Sequence, residues 1–305
     1  MEIKQSISLW IEGARPKTIP AAIVPVIVGT SAVADGDLTP DCGLSWIRFL
    51  LALFVSVALQ VGVNYANDYS DGLRGADHDR IGPRRLVGSG LVDPGKVKNA
   101  AVLSFAFAAL AGLSLVILVG WWLIFIGLAA ILAAWFYTGG SRPYGYMGFG
   151  EIFVFIFFGL VATIGSAYVQ IEAFEPLPIL LSLPVGFLAT ALLVTNNLRD
   201  LPKDKAVDKK TLAVRLGGDR TRILYAFLIY LSAISIAAMG FYDVNYILAL
   251  GAAVVVFSVG HSIVLRVLHG AQGKELIGIL ESTGKLHLLL GVLVSACLWI
   301  SAYWL

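Results

Sequence analysis

The sequence predicts an all-α polytopic membrane protein, and three observations lead there. Apolar residues make up 58% of the 305 and charged residues only 14%, against about a quarter charged in ordinary soluble domains. Mean hydropathy is +0.83. Charge-free intervals recur along the whole chain, most near the roughly 20 helical residues that cross about 30 Å of hydrocarbon. None alternates in the manner of a barrel strand, so helices are left as the structures that satisfy their own backbone in lipid. The same arithmetic excludes nucleic-acid binding, disorder and a disulfide-stapled secreted domain, since Cys42 and Cys297 have neither metal spacing nor a disulfide framework.

Taken in order, the first interval is 18–34, opened by Arg15-Pro16-Lys17 and interrupted by Pro20 and Pro25. The second is 49–67. The run 99–141 is about twice too long for one crossing, and Gly120-Trp121-Trp122 in its middle supplies a turn with interfacial aromatics, so it holds spans three and four. Intervals 152–171, 176–198, 223–242, 244–265 and 286–305 complete nine spans in one domain, 1–305. With the N-terminus in the cytoplasm and the C-terminus outside, every one of the 22 Lys and Arg residues except Arg48 falls on the cytoplasmic side. The positive-inside rule therefore orients the chain in the inner membrane. Acids such as Asp35, Asp37, Asp41, Glu172, Glu175 and Asp243 occupy the outer turns, and the long polar loops 68–98 and 199–222 face the cytoplasm.

Chemistry concentrates where those loops begin. At the end of span two, Asn64, Asn67, Asp68 and Asp71 are followed by Asp77; at the end of span six, Asn197 is followed by Asp200 and Asp204. On a helix, Asp68 and Asp71 share one face and Asp200 and Asp204 another. Acids at a helix C-terminus oppose the macrodipole, and asparagines at the edge of an apolar span are costly, so simple solvation is a poor account of the pair. Mg²⁺ is held by one or two carboxylates with substrate phosphates completing its shell, so two opposed acid pairs suit a Mg²⁺-bridged diphosphate. Asp68, Asp71, Asp200, Asp204, Asn67 and Asp77 are the candidate metal ligands. Arg74, Arg142, Arg199 and Lys205, with the amides of Asn64 and Asn197, are placed to meet the remaining phosphate oxygens. Tyr137, ahead of Gly139-Gly140, can turn its ring to a cavity, and Arg15 and Lys17 can hold a second anionic substrate. Glu151 is a potential partner of Arg142, while His261 and His287 have no acidic companions and suggest packing.

Four stretches carry a family resemblance: 14–22 with Arg15-Pro16-Lys17-Thr18; 67–87 with Asn67-Asp68-Tyr69-Ser70-Asp71; 137–146 with Tyr137-Thr138-Gly139-Gly140; and 197–217 with Asn197-Leu198-Arg199-Asp200 and Asp204. In these the chain resembles the UbiA superfamily of intramembrane prenyltransferases, closest to its naphthoate branch. Two departures stand out. Gly75 replaces a third Asp of the broad pattern, with Asp77 nearest, and Ser141 replaces a cation, with Arg142 one residue later.

The resemblance implies a helical bundle with an intramembrane cavity open to the cytoplasmic side, Mg²⁺ dependence, and transfer of a polyprenyl group from polyprenyl diphosphate to 1,4-dihydroxy-2-naphthoate with loss of carbon dioxide, a step of menaquinone biosynthesis. Asp68, Asp71, Asp200, Asp204 and Tyr137 would be catalytic, Tyr137 facing an allylic cation, and Arg15 or Lys17 would anchor the aromatic carboxylate. Prenylation of another aromatic acid is the alternative within the family. Cation transport is the alternative outside it, disfavoured because transporters place ion sites near the midplane and these acids lie at the membrane edge.

Overall fold

A computed structural model of the chain describes residues 2–34, 44–75, 82, 84–242 and 244–304. Among them every regular element is helical. Seven helical stretches are long and apolar enough to cross a membrane: Trp46–Leu73, Pro94–Leu118, Gly150–Ile171, Pro176–Ala206, Gly218–Phe241, Tyr246–Leu268 and Lys274–Ala302. The two other expected spans coincide with shorter apolar helices, Pro20–Ser31 and Leu123–Phe136. Both are below the roughly 20 residues of a straight full crossing, so among the described residues seven of the nine expected spans reach that length and the other two are shorter apolar helices.

The elements that build the site follow in chain order. Helix α1 (Glu2–Ala14), which charge-counting passes over, packs at the end of α3 (Trp46–Leu73): Tyr65 donates to the Trp10 carbonyl at 2.8 Å. Between α1 and α2 (Pro20–Ser31) the chain turns at Arg15, whose φ of 55° is left-handed. The Arg15 carbonyl accepts from both the amide and the hydroxyl of Thr18, each at 2.9 Å, which holds that turn. Helices α4 (Pro94–Leu118) and α5 (Leu123–Phe136) are separated at Gly120-Trp121-Trp122, as the sequence suggests. Asp93 caps α4 by accepting from the amide of Gly95 at 2.8 Å.

The span 150–171 is not uniform. Helix α6 (Gly150–Val154) passes through a π-helical stretch, Phe155–Val161, into α7 (Ala162–Ile171). Such a stretch shifts the facing of every later residue. It packs on α8 (Pro176–Ala206) through Gly159 and Gly186: a Cβ on Gly159 would lie 2.6 Å from the Gly186 Cα, so only glycine permits this approach. Helices α9 (Leu212–Leu216), α10 (Gly218–Ala237), α11 (Tyr246–Leu268) and α12 (Lys274–Trp304) complete the chain. The largest core joins α2, α8, α10, α11 and α12 through Val28, Leu188, Ile229, Val264 and Leu286.

At the bundle end away from the acidic clusters, Arg48 ties three segments together. Its guanidinium donates to the carbonyls of Leu118 (3.0 Å), Val169 (2.9 Å) and Gln170 (3.2 Å) and to Glu172 Oε1 (2.7 Å). The sole basic residue expected outside thus terminates helix ends whose carbonyls have no intrahelical partner.

Candidate active site

A cavity of about 340 Å³ opens at the bundle end where α2, α6 and α12 begin and α3, α5 and α8 finish. Its polar part carries Arg15, Asn64, Asn67, Asp71 and Arg85 from one side and Asn196, Asn197, Asp200, Lys203, Asp204 and Lys209 from the other. Beyond them the walls are apolar, with Val55, Ile126, Ala130, Phe157 and Val161, down to Val26, Ala52, Leu115 and Val169. The α3 residues that line it run from Asp71 back to Ala52, about 28 Å of helix at about 1.5 Å per residue. A head group and a long apolar tail have separate places in one chamber.

The two acidic clusters meet across a lysine. Lys209 Nζ lies 3.4 Å from Asp71 Oδ2 and 3.8 Å from Asp204 Oδ1, and over the Tyr146 ring at 4.8 Å. Tyr146 donates its hydroxyl to Asp71 Oδ1 at 2.9 Å. Burial, and then the Asp71 carboxylate, push the Tyr146 phenol far above its ordinary pKa, so it remains a donor across the physiological range. Asp200, one helical turn before Asp204, takes both arms of Arg199 at 2.7 Å, the forked geometry guanidinium and carboxylate favour.

Asn64, Asn67 and Asn197 are each fixed by a neighbour. Asn67 Oδ1 accepts from the Thr138 hydroxyl at 2.8 Å. Asn64 donates to the Ala14 carbonyl at 2.9 Å and the Thr18 hydroxyl at 3.0 Å, while its own carbonyl accepts from Arg15 at 3.3 Å. Asn64 thereby holds the strained turn that places Arg15 on the cavity wall. Tyr137 lines the cavity beside Tyr144, rings 5.5 Å apart, and Tyr144 stacks on Phe153 at 4.0 Å. Glu151 accepts from Asn197 at 2.9 Å, which corrects the expected pairing with Arg142.

Other sequence candidates stand elsewhere. Asp68 is fully buried, and its two oxygens accept from the amides of Leu86 (2.9 Å) and Val87 (3.1 Å), so it anchors the loop after α3 and does not line the cavity. Arg74 donates to the carbonyls of Thr138 and Gly140 and lies over Tyr146. Arg142 and Lys205 are exposed and away from the cavity. Lys17 points out to Glu281 at 2.9 Å. Asp77 lies outside the described residues. In place of the displaced cations, Arg85, Lys203 and Lys209 line the chamber. Sequence spacing had no means of choosing among the lysines near α8, because the chain leaves the helix at Val207 and returns Lys209 to the cavity.

A hard divalent cation fits the donors present. Asp71, Asp200, Asp204 and Asn67 offer oxygens to the same mouth. Among the described residues no three acidic, imidazole or thiolate side chains converge on one point. Mg²⁺ takes one or two carboxylates and completes its shell with water and substrate phosphate.

Known proteins resemble this chain in sequence and in fold. A protein from Mycobacterium tuberculosis called 1,4-dihydroxy-2-naphthoate octaprenyltransferase is 46% identical, covering 96% of this chain and 97% of that one. The Escherichia coli protein of that name is 39% identical over 77% of each. In solved structures, a UbiA homolog from Aeropyrum pernix K1 superimposes with a TM-score of 0.69 at 13% identity, covering 93% of this chain and 97% of that one. One from Archaeoglobus fulgidus bound to DMAPP and Mg²⁺ gives 0.65 at 17%, covering 96% and 99%. With the model of the UbiA prenyltransferase family matching residues 22–275, this membrane-embedded chain belongs to that family.

Proposed function

We propose that the chain, acting as one domain over 1–305, transfers a polyprenyl group from polyprenyl diphosphate to 1,4-dihydroxy-2-naphthoate with loss of carbon dioxide, a reaction of menaquinone biosynthesis. The observation that carries this reading is the single chamber with Asp71, Asp200 and Asp204 at a polar mouth and an apolar continuation deep between helices. The names of the bacterial relatives support the naphthoate acceptor.

In this reading Asp71 with Asn67 on one side and Asp200 with Asp204 on the other would hold Mg²⁺, which when bound would supply Lewis-acid stabilisation of charge on the departing diphosphate. Lys203, Lys209, Arg85 and the amide of Asn197 bind the phosphate oxygens as the allylic C–O bond breaks. Tyr137 and Tyr144 offer aromatic faces to the carbon centre that becomes positive. Arg15 binds the carboxylate of the aromatic acid, whose electron-rich ring attacks C1 of the prenyl group; the ring–carboxylate bond then breaks, carbon dioxide leaves, and the bonding pair returns to the ring. The apolar walls keep out water, which would otherwise take the cation. Asp68 acts through the Leu86 and Val87 amides and Asn64 through the Arg15 turn. The mouth opens to the cytoplasm, with the N-terminus inside, which follows from the distribution of Lys and Arg.

The test is an assay of purified protein with Mg²⁺, a polyprenyl diphosphate and a panel of aromatic acids, read by product mass. Prenylated naphthalenediol, one carbon dioxide lighter than the summed acceptor and prenyl group, is the expected product. Prenylation of another acid alone removes the naphthoate assignment, and no prenylated product from any acid removes the reading altogether.

A further inference from the structure

Cations are interleaved with the carboxylates on the cavity wall. Among the described residues Arg15, Arg85, Lys203 and Lys209 set four positive charges against the three negative charges of Asp71, Asp200 and Asp204. Arg199, forked onto Asp200, adds a further cation at its edge. A bare dication entering this mouth meets cations already seated among those carboxylates. Its contest is sharpest at Lys209, because that ammonium lies within 3.4 Å of one carboxylate and 3.8 Å of the other. Lys209 is also held in place: its side chain is 16% exposed, its ammonium rests over the Tyr146 ring, and its backbone amide donates to the Asp204 carbonyl at 2.8 Å. It is therefore a settled occupant of the gap between the clusters.

We propose that Lys209 is a built-in counter-ion that makes metal uptake conditional on diphosphate. Alone, a divalent cation must displace an ammonium from Asp71 and Asp204 and settle beside it in a half-enclosed site, which is unfavourable. Arriving with a prenyl diphosphate, the same cation comes inside a complex that is anionic overall. The ammonium then exchanges carboxylate oxygens for phosphate oxygens and keeps an anionic partner. Metal and diphosphate consequently bind with positive coupling, and the substrate-free mouth stays closed to stray divalent ions without any moving lid. This rests on the metal–diphosphate reading above.

The experiment measures Mn²⁺ binding to the purified full-length protein in detergent, through loss of the free-ion EPR signal, with and without a prenyl thiolodiphosphate that does not ionise. Without the analogue, Lys209→Gln should bind Mn²⁺ on the order of 10-fold or more tightly than wild type, the scale of a charge-assisted contact. Lys209→Arg keeps the cation and should stay close to wild type. Equal Mn²⁺ affinity of wild type and Lys209→Gln without the analogue overturns the proposal. In wild type alone, Mn²⁺ and the analogue should each tighten the other by the same factor, and independent binding overturns the proposal even if Lys209→Gln does not fold. Absence of Mn²⁺ binding in wild type and variant even with the analogue present removes instead the metal–diphosphate reading, and this inference with it.

Discussion

The side-chain amide of Asn197 donates to the carboxylate of Glu151 at 2.9 Å, joining the inner part of α8 to the first turn of α6. Glu151 is buried, and its second oxygen has no hydrogen-bond partner among the described residues. Glu151 therefore acts through Asn197, whose other face borders the cavity. Glu151→Ala should raise the KM for prenyl diphosphate about 10-fold or more, the value of a hydrogen bond to a charged group. Glu151→Gln, which still offers an acceptor, should lose much less. In an Asn197→Ala background Glu151→Ala should add little; fully additive losses would show that the two do not work as a pair.

Asp68 and Asp71 share a helix face in sequence but have different tasks. Asp71→Asn should remove turnover while leaving thermal unfolding in detergent near wild type. Asp68→Asn leaves one of the Leu86 and Val87 amides facing a donor and the other with only a neutral acceptor, and should lower stability by about 1.5–3 kcal/mol along with activity. An unchanged melting temperature for Asp68→Asn contradicts its anchoring role.

Arg15 and Lys17 separate in the same way. Arg15→Gln should raise the aromatic acid's KM roughly 10-fold to 100-fold with little change for prenyl diphosphate, provided KM tracks Kd. Lys17→Gln breaks an exposed pair with Glu281, which is worth little, and both KM values should hold. Steady-state kinetics with each substrate varied in turn decides it. Equal weakening of both substrates in Arg15→Gln argues against a carboxylate anchor.

Orientation is checked by cysteines in a background lacking Cys42 and Cys297. Ser89→Cys and Val207→Cys, exposed at the end bearing the acids, should resist an impermeant maleimide added to intact cells. Ala173→Cys at the opposite end should label. The reverse pattern overturns the cytoplasmic mouth.

Fold class, helix positions and the meeting of two acid clusters were legible because they depend on local quantities: charge-free length, a Gly-Trp-Trp turn, and i, i+3 or i, i+4 spacing. The short reach of Pro20–Ser31 and Leu123–Phe136 was not legible, since an uncharged interval counts turn residues as readily as helical ones. Neither was the burial of Asp68, because the loop amides that take its oxygens lie almost twenty residues on in sequence. Among the cations, Arg74, Arg142 and Lys205 adjoin the motifs in sequence, whereas Arg85, Lys203 and Lys209 adjoin the chamber in space. Tertiary folding made that exchange, and spacing along one helix does not report it.

The Arg48 tie lies directly beneath the floor of the apolar chamber. Ala52 stands one turn inside Arg48 on α3, Leu115 one turn inside the Leu118 carbonyl, and Val169 supplies a bonded carbonyl itself; these three form the floor of the apolar chamber. If the guanidinium keeps these helix ends together, the floor would be a fixed gauge, set at the far end from the chemistry. Ala52→Phe should raise that floor and shift the product mass distribution to fewer isoprene units when a mixture of diphosphates is supplied. Arg48→Ala should lower stability by about 1.5–3 kcal/mol through its lost carbonyl contacts and broaden that distribution, so the residue that fastens the bundle would also calibrate its product.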